Sequence, residues 1–185
     1  MTPDVSVDRY GAPLRLLHWA TVIAVLVTYG ITYAEALFER GTAARALVWW
    51  THISVGLLVL VLVLLRFVFR AATPVPGPSP DLSRLVHLAS VAAHILLYLL
   101  LLAVPLVGIY LAFLRGNEVS FFGLFTIPSP IAVDRDLARQ VIEVHEWLAN
   151  ALLLLAGVHA AAALGHHFIL RDGVLRRMLP PARGS

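Results

Sequence analysis

Four histidines, His18, His52, His145 and His159, lie in long apolar stretches, where an ionisable side chain is costly and usually serves function. His145 and His159 are fourteen residues apart, so a helix would separate them by about 21 Å and keep them within roughly 40° of one face. His18 lies on a second apolar stretch, at the same predicted membrane depth as His159. His52 lies on a third stretch, at the same predicted depth as His145. This spacing predicts two metal sites with two histidines each, and two bis-histidine haems, one near each membrane surface, would fit them.

Other kinds of site are compatible with some of these residues. Zinc could bind at His145, which Glu143 and Glu146 flank, but such a site leaves His18 and His159 unexplained. A proton-relay transporter is expected to bury Asp or Glu in mid-membrane, where these stretches have none. A non-redox membrane bundle whose histidines only form hydrogen bonds between helices is a further alternative.

Additional side chains are candidates for cofactor binding. His94 is the main rival of His18 as a ligand, although it could instead hydrogen-bond a haem propionate, a quinone or another helix. His166 and His167 follow His159 closely and suit a quinone or propionate site, or simply the membrane boundary. Arginine pairs well with carboxylates, so Arg15 and Arg66 are candidate propionate partners as well as membrane anchors.

The composition is that of a membrane protein. The chain has 185 residues, of which 59% are hydrophobic and 14% charged, and its mean hydropathy is +0.84. Soluble proteins have roughly 25% charged residues. The 14 basic residues are all arginines, and they do not form the aromatic-interleaved patch of a nucleic-acid binder. There is no cysteine, so any haem must be non-covalent, of the b type and held by histidine.

The apolar stretches predict an all-α, integral membrane four-helix bundle. Each stretch has the roughly 20 residues that a spanning helix needs. We therefore expect one transmembrane domain over residues 1–185, with spans at approximately 14–35, 46–69, 84–114 and 138–170. No small-residue cleavage site follows the first stretch, so it is expected to remain as an anchor.

Two connections stand out between the predicted helices. Residues 71–80 are proline-rich and are expected to be extended rather than helical. The longest loop, residues 116–136, contains several phenylalanines, so we expect it to lie at the membrane interface or to cap one end of the bundle.

Arginine counts predict the orientation of the bundle, because cytoplasmic loops carry an excess of positive charge. The side with both termini carries the larger set, so both termini are expected to be cytoplasmic. That set is Arg9, Arg15, Arg66, Arg70, Arg84, Arg171, Arg176, Arg177 and Arg183, whereas the opposite side has Arg40, Arg45, Arg115, Arg135 and Arg139.

Short motifs along nearly the whole chain resemble the bacterial cytochrome b561 family. They are Arg9-Tyr10, Arg15-Leu16-Leu17-His18-Trp19, Thr51-His52-Ile53-Ser54, Arg66 with Arg70, His94-Ile95-Leu96-Leu97-Tyr98 with Pro105 and Gly108, Glu143-Val144-His145-Glu146, the segment from His159 to His167, and Arg171-Asp172. The chain is also similar, more distantly, to the b-type cytochrome subunits of nickel–iron hydrogenases and formate dehydrogenases. In that wider group the ligands come from the first, second and fourth helices, which here carry His18, His52, His145 and His159. His87 departs from the pattern, because a second histidine on the third span is familiar but not at this offset from His94.

The resemblance implies a quinone-linked electron carrier with two haems b in the bacterial inner membrane. Some close relatives act as superoxide oxidases, which pass electrons from superoxide to ubiquinone. Arginines on the outer side could then steer the superoxide anion, namely Arg45, Arg115, Arg135 and Arg139. The alternative is a subunit that takes electrons from a partner dehydrogenase or hydrogenase. The expected partners are therefore membrane lipid, ubiquinone, and either superoxide or a redox protein, with no nucleic acid.

Overall fold

Four long helices contain the apolar stretches of the chain in the computed structural model, which describes residues 9–77 and 83–180. The helices are α1 (Ala12–Ile31), α2 (Ala43–Ala72), α3 (Arg84–Leu114) and α4 (Arg135–Gly165). All four are long and apolar enough to cross a membrane. The predicted all-α membrane bundle is therefore confirmed.

Short polar residues begin three of these helices. The side chains of Thr42 and Ser83 each accept a hydrogen bond from the backbone N–H three residues later, at the starts of α2 and α3. Asp134 accepts from the N–H groups of Asp136 and Leu137, so α4 begins at Arg135, a few residues before the predicted span. Each cap satisfies backbone donors that the first helical turn leaves without a partner.

The connection between α2 and α3 differs from the sequence prediction at its beginning. Ala71 and Ala72 continue α2, because an alanine pair favours helix and the first proline comes only at position 74. Residues 74–77 are not helical, and the rest of the predicted linker, residues 78–80, lies outside the described residues.

The long loop between α3 and α4 contains a hairpin that the sequence did not predict. Strand β1 (Val119–Phe121) pairs antiparallel with β2 (Phe125–Ile127). The turn between them has positive φ at Phe122 and Gly123, which matches the twist of a tight hairpin. Ser54 of α2 is fully buried, donates a hydrogen bond to the carbonyl of Ser120 and accepts one from the N–H of Phe122. The hairpin is thereby fixed over one end of the bundle.

We call this end the hairpin end, and the opposite end, where α1 starts and α4 finishes, the terminal end. Between them lies a layer of buried apolar side chains from all four helices, namely Ala24, Val55, Val59, Leu62, Val63, Leu101 and Leu152. In sequence this layer falls between His52 and Arg66 on α2, and between His145 and His159 on α4. It therefore separates two groups of polar residues, one toward each end.

The end of α4 changes conformation and leads into a segment that folds back on the bundle. His166–Leu170 form a π-helical turn, and Arg171 then has the left-handed conformation that reverses the chain. The following residues, 174–180, include a short 3₁₀ turn, Leu175–Met178. We call residues 174–180 the C-terminal strap. It contacts the start of α1 through hydrogen bonds from Trp19 to the Met178 carbonyl and from Arg15 to the Leu179 carbonyl.

Candidate haem-binding sites

His52 and His145 face each other near the hairpin end. Their ring centroids are 6.2 Å apart and the ring planes are inclined by 75°. A metal–imidazole bond is about 2.0 Å long and the ring centroid lies about 1.1 Å behind the nitrogen, so two imidazoles on opposite sides of one metal ion have centroids roughly 6.2 Å apart. The separation of these two rings therefore suits one metal ion held between them.

A backbone carbonyl orients the His52 ring. Its Nδ1 lies 2.9 Å from the carbonyl oxygen of Thr28 on α1. Because a carbonyl oxygen can only accept, Nδ1 must carry the proton, and the lone pair of Nε2 is left for a metal. A partner of this kind, which fixes tautomer and ring orientation, commonly supports metal-binding histidines.

A glycine on α3 makes room for the His145 ring. A Cβ atom at Gly108 would lie 3.0 Å from Cε1 of His145 and 3.4 Å from its Nδ1. A side chain here would force the imidazole to shift by a few tenths of an ångström, so glycine suits this close approach of α3. The Nδ1 atom of His145 is buried and has no hydrogen-bond partner among the described residues.

Three histidines lie together toward the terminal end. The rings of His94 and His159 touch edge to face, with centroids 5.1 Å apart. This distance is about 1 Å too short for the two rings to hold one metal ion from opposite sides. His18 lies within electrostatic range of both, and its buried Nδ1 has no hydrogen-bond partner in the described part of the chain. His94 donates from Nδ1 to the Ser90 carbonyl on its own helix, at 2.6 Å.

A half-buried arginine lies beside this group. Arg66 of α2 is within electrostatic range of His18 and His159, and its guanidinium stacks 5.1 Å from the centre of the Tyr98 ring. Its Nε is buried with no hydrogen-bond partner in residues 9–77 and 83–180. An arginine in a membrane interior usually pairs with an anion, so this position suits a carboxylate of a bound molecule.

The remaining candidates occupy separate positions at the terminal end. Arg15 contacts the C-terminal strap, as described above. His166 pairs through Nδ1 with the carboxylate of Asp172, whereas His167 stacks edge to face on Phe168, with centroids 4.8 Å apart. His87 is half-buried near the start of α3.

Arginines collect on the opposite, hairpin end. Arg115, Arg135 and Arg139 line a cavity of about 230 Å³ together with Ala138. Arg139 also pairs with the neighbouring Asp136 on the surface. Arg45, which the sequence grouped with them, instead forms an ion pair with Glu35 and donates to the Phe38 carbonyl. Carboxylates thus partly offset the charges of both Arg45 and Arg139, more strongly for the half-buried Arg45 than for the exposed Arg139, and Arg115, Arg135 and Arg139 form the cationic surface.

Comparison with known proteins identifies the family of this chain. The prokaryotic cytochrome b561 family matches residues 9–181. The chain belongs to this family. It is 33% identical over 174 residues to cytochrome b561 homolog 2 of Escherichia coli (strain K12), covering 93% of this chain and 92% of the relative.

Two further relatives have similar coverage. The probable superoxide oxidase CybB of Yersinia pestis is 34% identical over 175 residues, covering 91% of this chain and 94% of the relative. Cytochrome b562 of Cereibacter sphaeroides (strain ATCC 17023) is 34% identical over 175 residues, with 89% and 91% covered. Membership of the cytochrome b561 family implies a multi-pass bacterial membrane protein that carries electrons and binds b-type haem.

The residues at the hairpin end of this cytochrome fit a b-type haem. His52 and His145 have the required separation, and each offers a nitrogen to a metal. Gly56 follows His52 by one helical turn on the same face, and nothing lies within 4 Å of where its Cβ would be. This open space beside the two histidines is compatible with the flat face of a haem.

The zinc alternative has no support in the described residues. No three side chains of the His, Cys, Asp and Glu types come close enough there to hold a metal ion. Glu143 and Glu146 are exposed on α4. A pair of histidines without a third protein ligand suits haem better than zinc.

Several residues around these sites were missed by the sequence reasoning. Thr28 acts through its backbone, which side-chain patterns do not reveal. Gly108 was noted only as part of a family motif, although a glycine in a membrane helix can indicate a close approach. Asp172 likewise appeared only within the Arg171-Asp172 motif; it is the only acidic residue after Glu146, and this isolation is the signal that could have identified it.

Proposed function

We propose that this cytochrome holds two haems b and carries electrons across the membrane from superoxide to ubiquinone. The facing imidazoles of His52 and His145, 6.2 Å apart, are the observation that carries the proposal. In it His52 and His145 hold the haem near the hairpin end, and His18 and His159 hold the other. The short contact between His94 and His159 supports His18 as the second ligand.

The chain's own residues would bind and orient the groups. When bound, the haems would supply one-electron exchange, and two histidines would hold each of them. The Thr28 carbonyl fixes His52, and Gly108 gives His145 its space. Arg66 would bind a propionate at the terminal end, with Arg15 as a second candidate near the surface.

The side of the membrane follows from the arginines. Because the larger set lies at the terminal end, we place that end in the cytoplasm and the hairpin end outside the inner membrane. Superoxide would then arrive at the hairpin end, where Arg115, Arg135 and Arg139 attract an anion. Ubiquinone would be reduced near the terminal end, with His94, His166 and His167 as candidates for its site. Two superoxide ions, one quinone and two protons yield two molecules of oxygen and one quinol.

Haem content provides the first test. A pyridine haemochrome assay should return two haems b per chain. His52→Ala or His145→Ala should each remove one haem, and His18→Ala or His159→Ala should remove the other. Loss of a haem in His94→Ala but not in His18→Ala would refute the assignment at the terminal end.

Electron donation by superoxide provides the second test. An enzymatic superoxide source should reduce the haem-loaded chain, and a short-chain ubiquinone analogue should then accept the electrons. The rate should fall with ionic strength, because screening over about 10 Å at 0.1 M weakens the attraction. Arg115→Glu should slow reduction, whereas the double variant Glu35→Gln/Arg45→Gln, which removes an ion pair without changing the net charge, should change it little. Failure of superoxide to reduce intact protein would instead favour a partner protein as the donor, and the exposed apolar hairpin tip at Leu124 and Phe125 would be a suitable contact for it.

A further inference from the structure

A carboxylate–imidazole pair lies where α4 ends at the terminal end. His166 contacts Asp172 through Nδ1, and their side chains are only 16% and 8% exposed. The other carboxylate oxygen of Asp172 accepts the N–H of Val174 at 3.2 Å, and the N–H of Asp172 donates to the His166 carbonyl at 3.3 Å. Both partners are therefore held by the backbone around them.

This pairing determines which nitrogen of His166 is available. Burial alone would raise the pKa of Asp172, but hydrogen bonds from His166 and the Val174 N–H overcome this and lower the pKa below its usual value. The carboxylate is thus ionised at neutral pH and accepts a hydrogen bond from the N–H at Nδ1 of His166. Nε2 remains as the nitrogen that can interact with another molecule.

The position of the pair suits a lipid-soluble molecule with a polar head. His166 follows His159 by seven residues, so it lies about 10 Å nearer the terminal end on the same face of α4. The next residues, Phe168, Ile169 and Leu170, are 67%, 80% and 63% exposed and would face lipid. The pair of His166 and Asp172, which we call the dyad, thus lies at the boundary between lipid and water. It is located between the terminal-end histidines and the cytoplasmic side proposed above.

The local backbone also departs from a regular helix at this point. The π-helical turn from His166 to Leu170 adds a residue to the turn, and such turns occur frequently at functional sites. A plain helix end would need neither this turn nor a buried acid. Asp172 also contacts the residue that begins the C-terminal strap, so the dyad and the strap form one structure beneath the bundle.

We propose that Asp172 is a positioning residue that orients His166 so that Nε2 hydrogen-bonds a quinone carbonyl and delivers a proton to it. The proposal rests on the proposed quinone reduction. In that reaction the quinone gains two electrons, which come from superoxide, and two protons. The N–H bond at Nε2 of a protonated His166 breaks as an O–H bond forms on the quinone. Water at the terminal end reprotonates the ring and supplies the second proton to the other oxygen.

The test follows reoxidation of chemically reduced, haem-loaded protein by a short-chain ubiquinone analogue, so superoxide is not involved. Asp172→Asn should slow reoxidation at saturating quinone by about tenfold or more, within the range for a general acid, and should enlarge the solvent deuterium isotope effect. The dissociation constant of the analogue, measured by quenching of tryptophan fluorescence, should change less. Asp172→Glu should restore part of the rate, because it keeps the carboxylate.

His166→Gln and His87→Gln are the same substitution at two histidines toward the terminal end. His166→Gln should reproduce the slow phenotype, whereas His87→Gln should stay within about twofold of the wild-type rate, because His87 lies near the start of α3 and belongs to neither proposed site. His166→Gln also replaces Asp172→Asn if the latter fails to retain haem. Variants that melt at lower temperature but keep the wild-type rate and isotope effect would show that the dyad is only a helix cap. If quinone does not oxidise even the wild-type protein, the proposed quinone reduction itself is wrong, and the role proposed for Asp172 is then wrong as well.

Discussion

Replacing Gly108 with alanine tests the proposed hairpin-end site most directly. The new Cβ would lie 3.0 Å from Cε1 of His145, whereas carbon atoms pack at about 3.5–4.0 Å. The imidazole must therefore move by a few tenths of an ångström. Since Gly108 lies inside α3, alanine also gains up to about 1 kcal/mol of helix propensity. Overpacking of a tight contact costs about 1–3 kcal/mol, so the net effect should be neutral to destabilising.

A second glycine gives the matched control. Gly157 is exposed in the middle of α4, and nothing lies within 4 Å of its Cβ position. It is two residues from His159 and so points to the opposite side of the helix. Gly157→Ala should therefore gain helix propensity without creating a steric overlap, and it should stabilise the protein by up to about 1 kcal/mol. Gly157→Ala should therefore be more stable than Gly108→Ala, although the two substitutions are chemically identical.

Redox titration and electron paramagnetic resonance of the haem-loaded protein measure the effect on the site itself. Gly108→Ala should shift the midpoint potential and the low-spin signal of one haem only, the one that His52→Ala removes. The larger Gly108→Val should lower the haem content from two to one per chain. The reasoning is wrong if Gly108→Ala is as stable as Gly157→Ala and leaves both haem signals unchanged, because the His145 ring then does not lie against Gly108.

Three further predictions concern other parts of the structure. Ser54→Ala removes both hydrogen bonds to the hairpin and should destabilise it by about 1–3 kcal/mol, measured as faster hydrogen exchange at Phe122 with haem content unchanged. Arg66→Gln removes a half-buried positive charge and should lower the midpoint potential of the terminal-end haem; an unchanged potential would place Arg66 away from it. Because the pKa of Asp172 is lowered in the folded chain, its contribution is fully present above the ordinary carboxyl pKa of about 4 and is lost as pH falls below it. Hydrogen exchange of residues 174–180, corrected for intrinsic rates, should therefore increase between pH 5 and pH 3, and constant protection would contradict the role of Asp172 in holding the strap.

The sequence predicts the helices of this protein well because membrane spans obey simple constraints. Every spanning segment needs about 20 apolar residues with internal backbone hydrogen bonding, so length and hydropathy suffice to find α1 to α4. Their ends depend on local capping, and a single side chain such as Asp134 moves a boundary by several residues. The hairpin was missed because its strands are only three residues long, and its position depends on a contact with Ser54, sixty-six residues away in sequence from Ser120.

Histidine depth could be predicted from sequence, but the direction in which each ring points could not. Helical rise gives the depth of His94 on α3 as readily as that of His18 on α1. The rotation of α3 about its axis depends on how it packs on α4, and this rotation brings His94 against His159. Asp172 shows a related limit. It reaches His166 only because the chain reverses at Arg171, in a conformation that few residues other than glycine adopt.

The two polar regions differ in ways that favour electron flow in one direction, given the proposed ligands. Near the hairpin end, cationic side chains lie around a small cavity and would attract an anionic donor. At the terminal end, the positive charge of half-buried Arg66 stabilises the reduced state of a redox group held by His18 and His159, and His166 with Asp172 lies close to lipid and water. Arg66 lies on the terminal side of the apolar layer, so its charge acts most strongly on the group at that end, because Coulomb energy falls with distance. The hairpin end would thus suit a donor that is a small anion. The terminal end would suit an acceptor that needs protons.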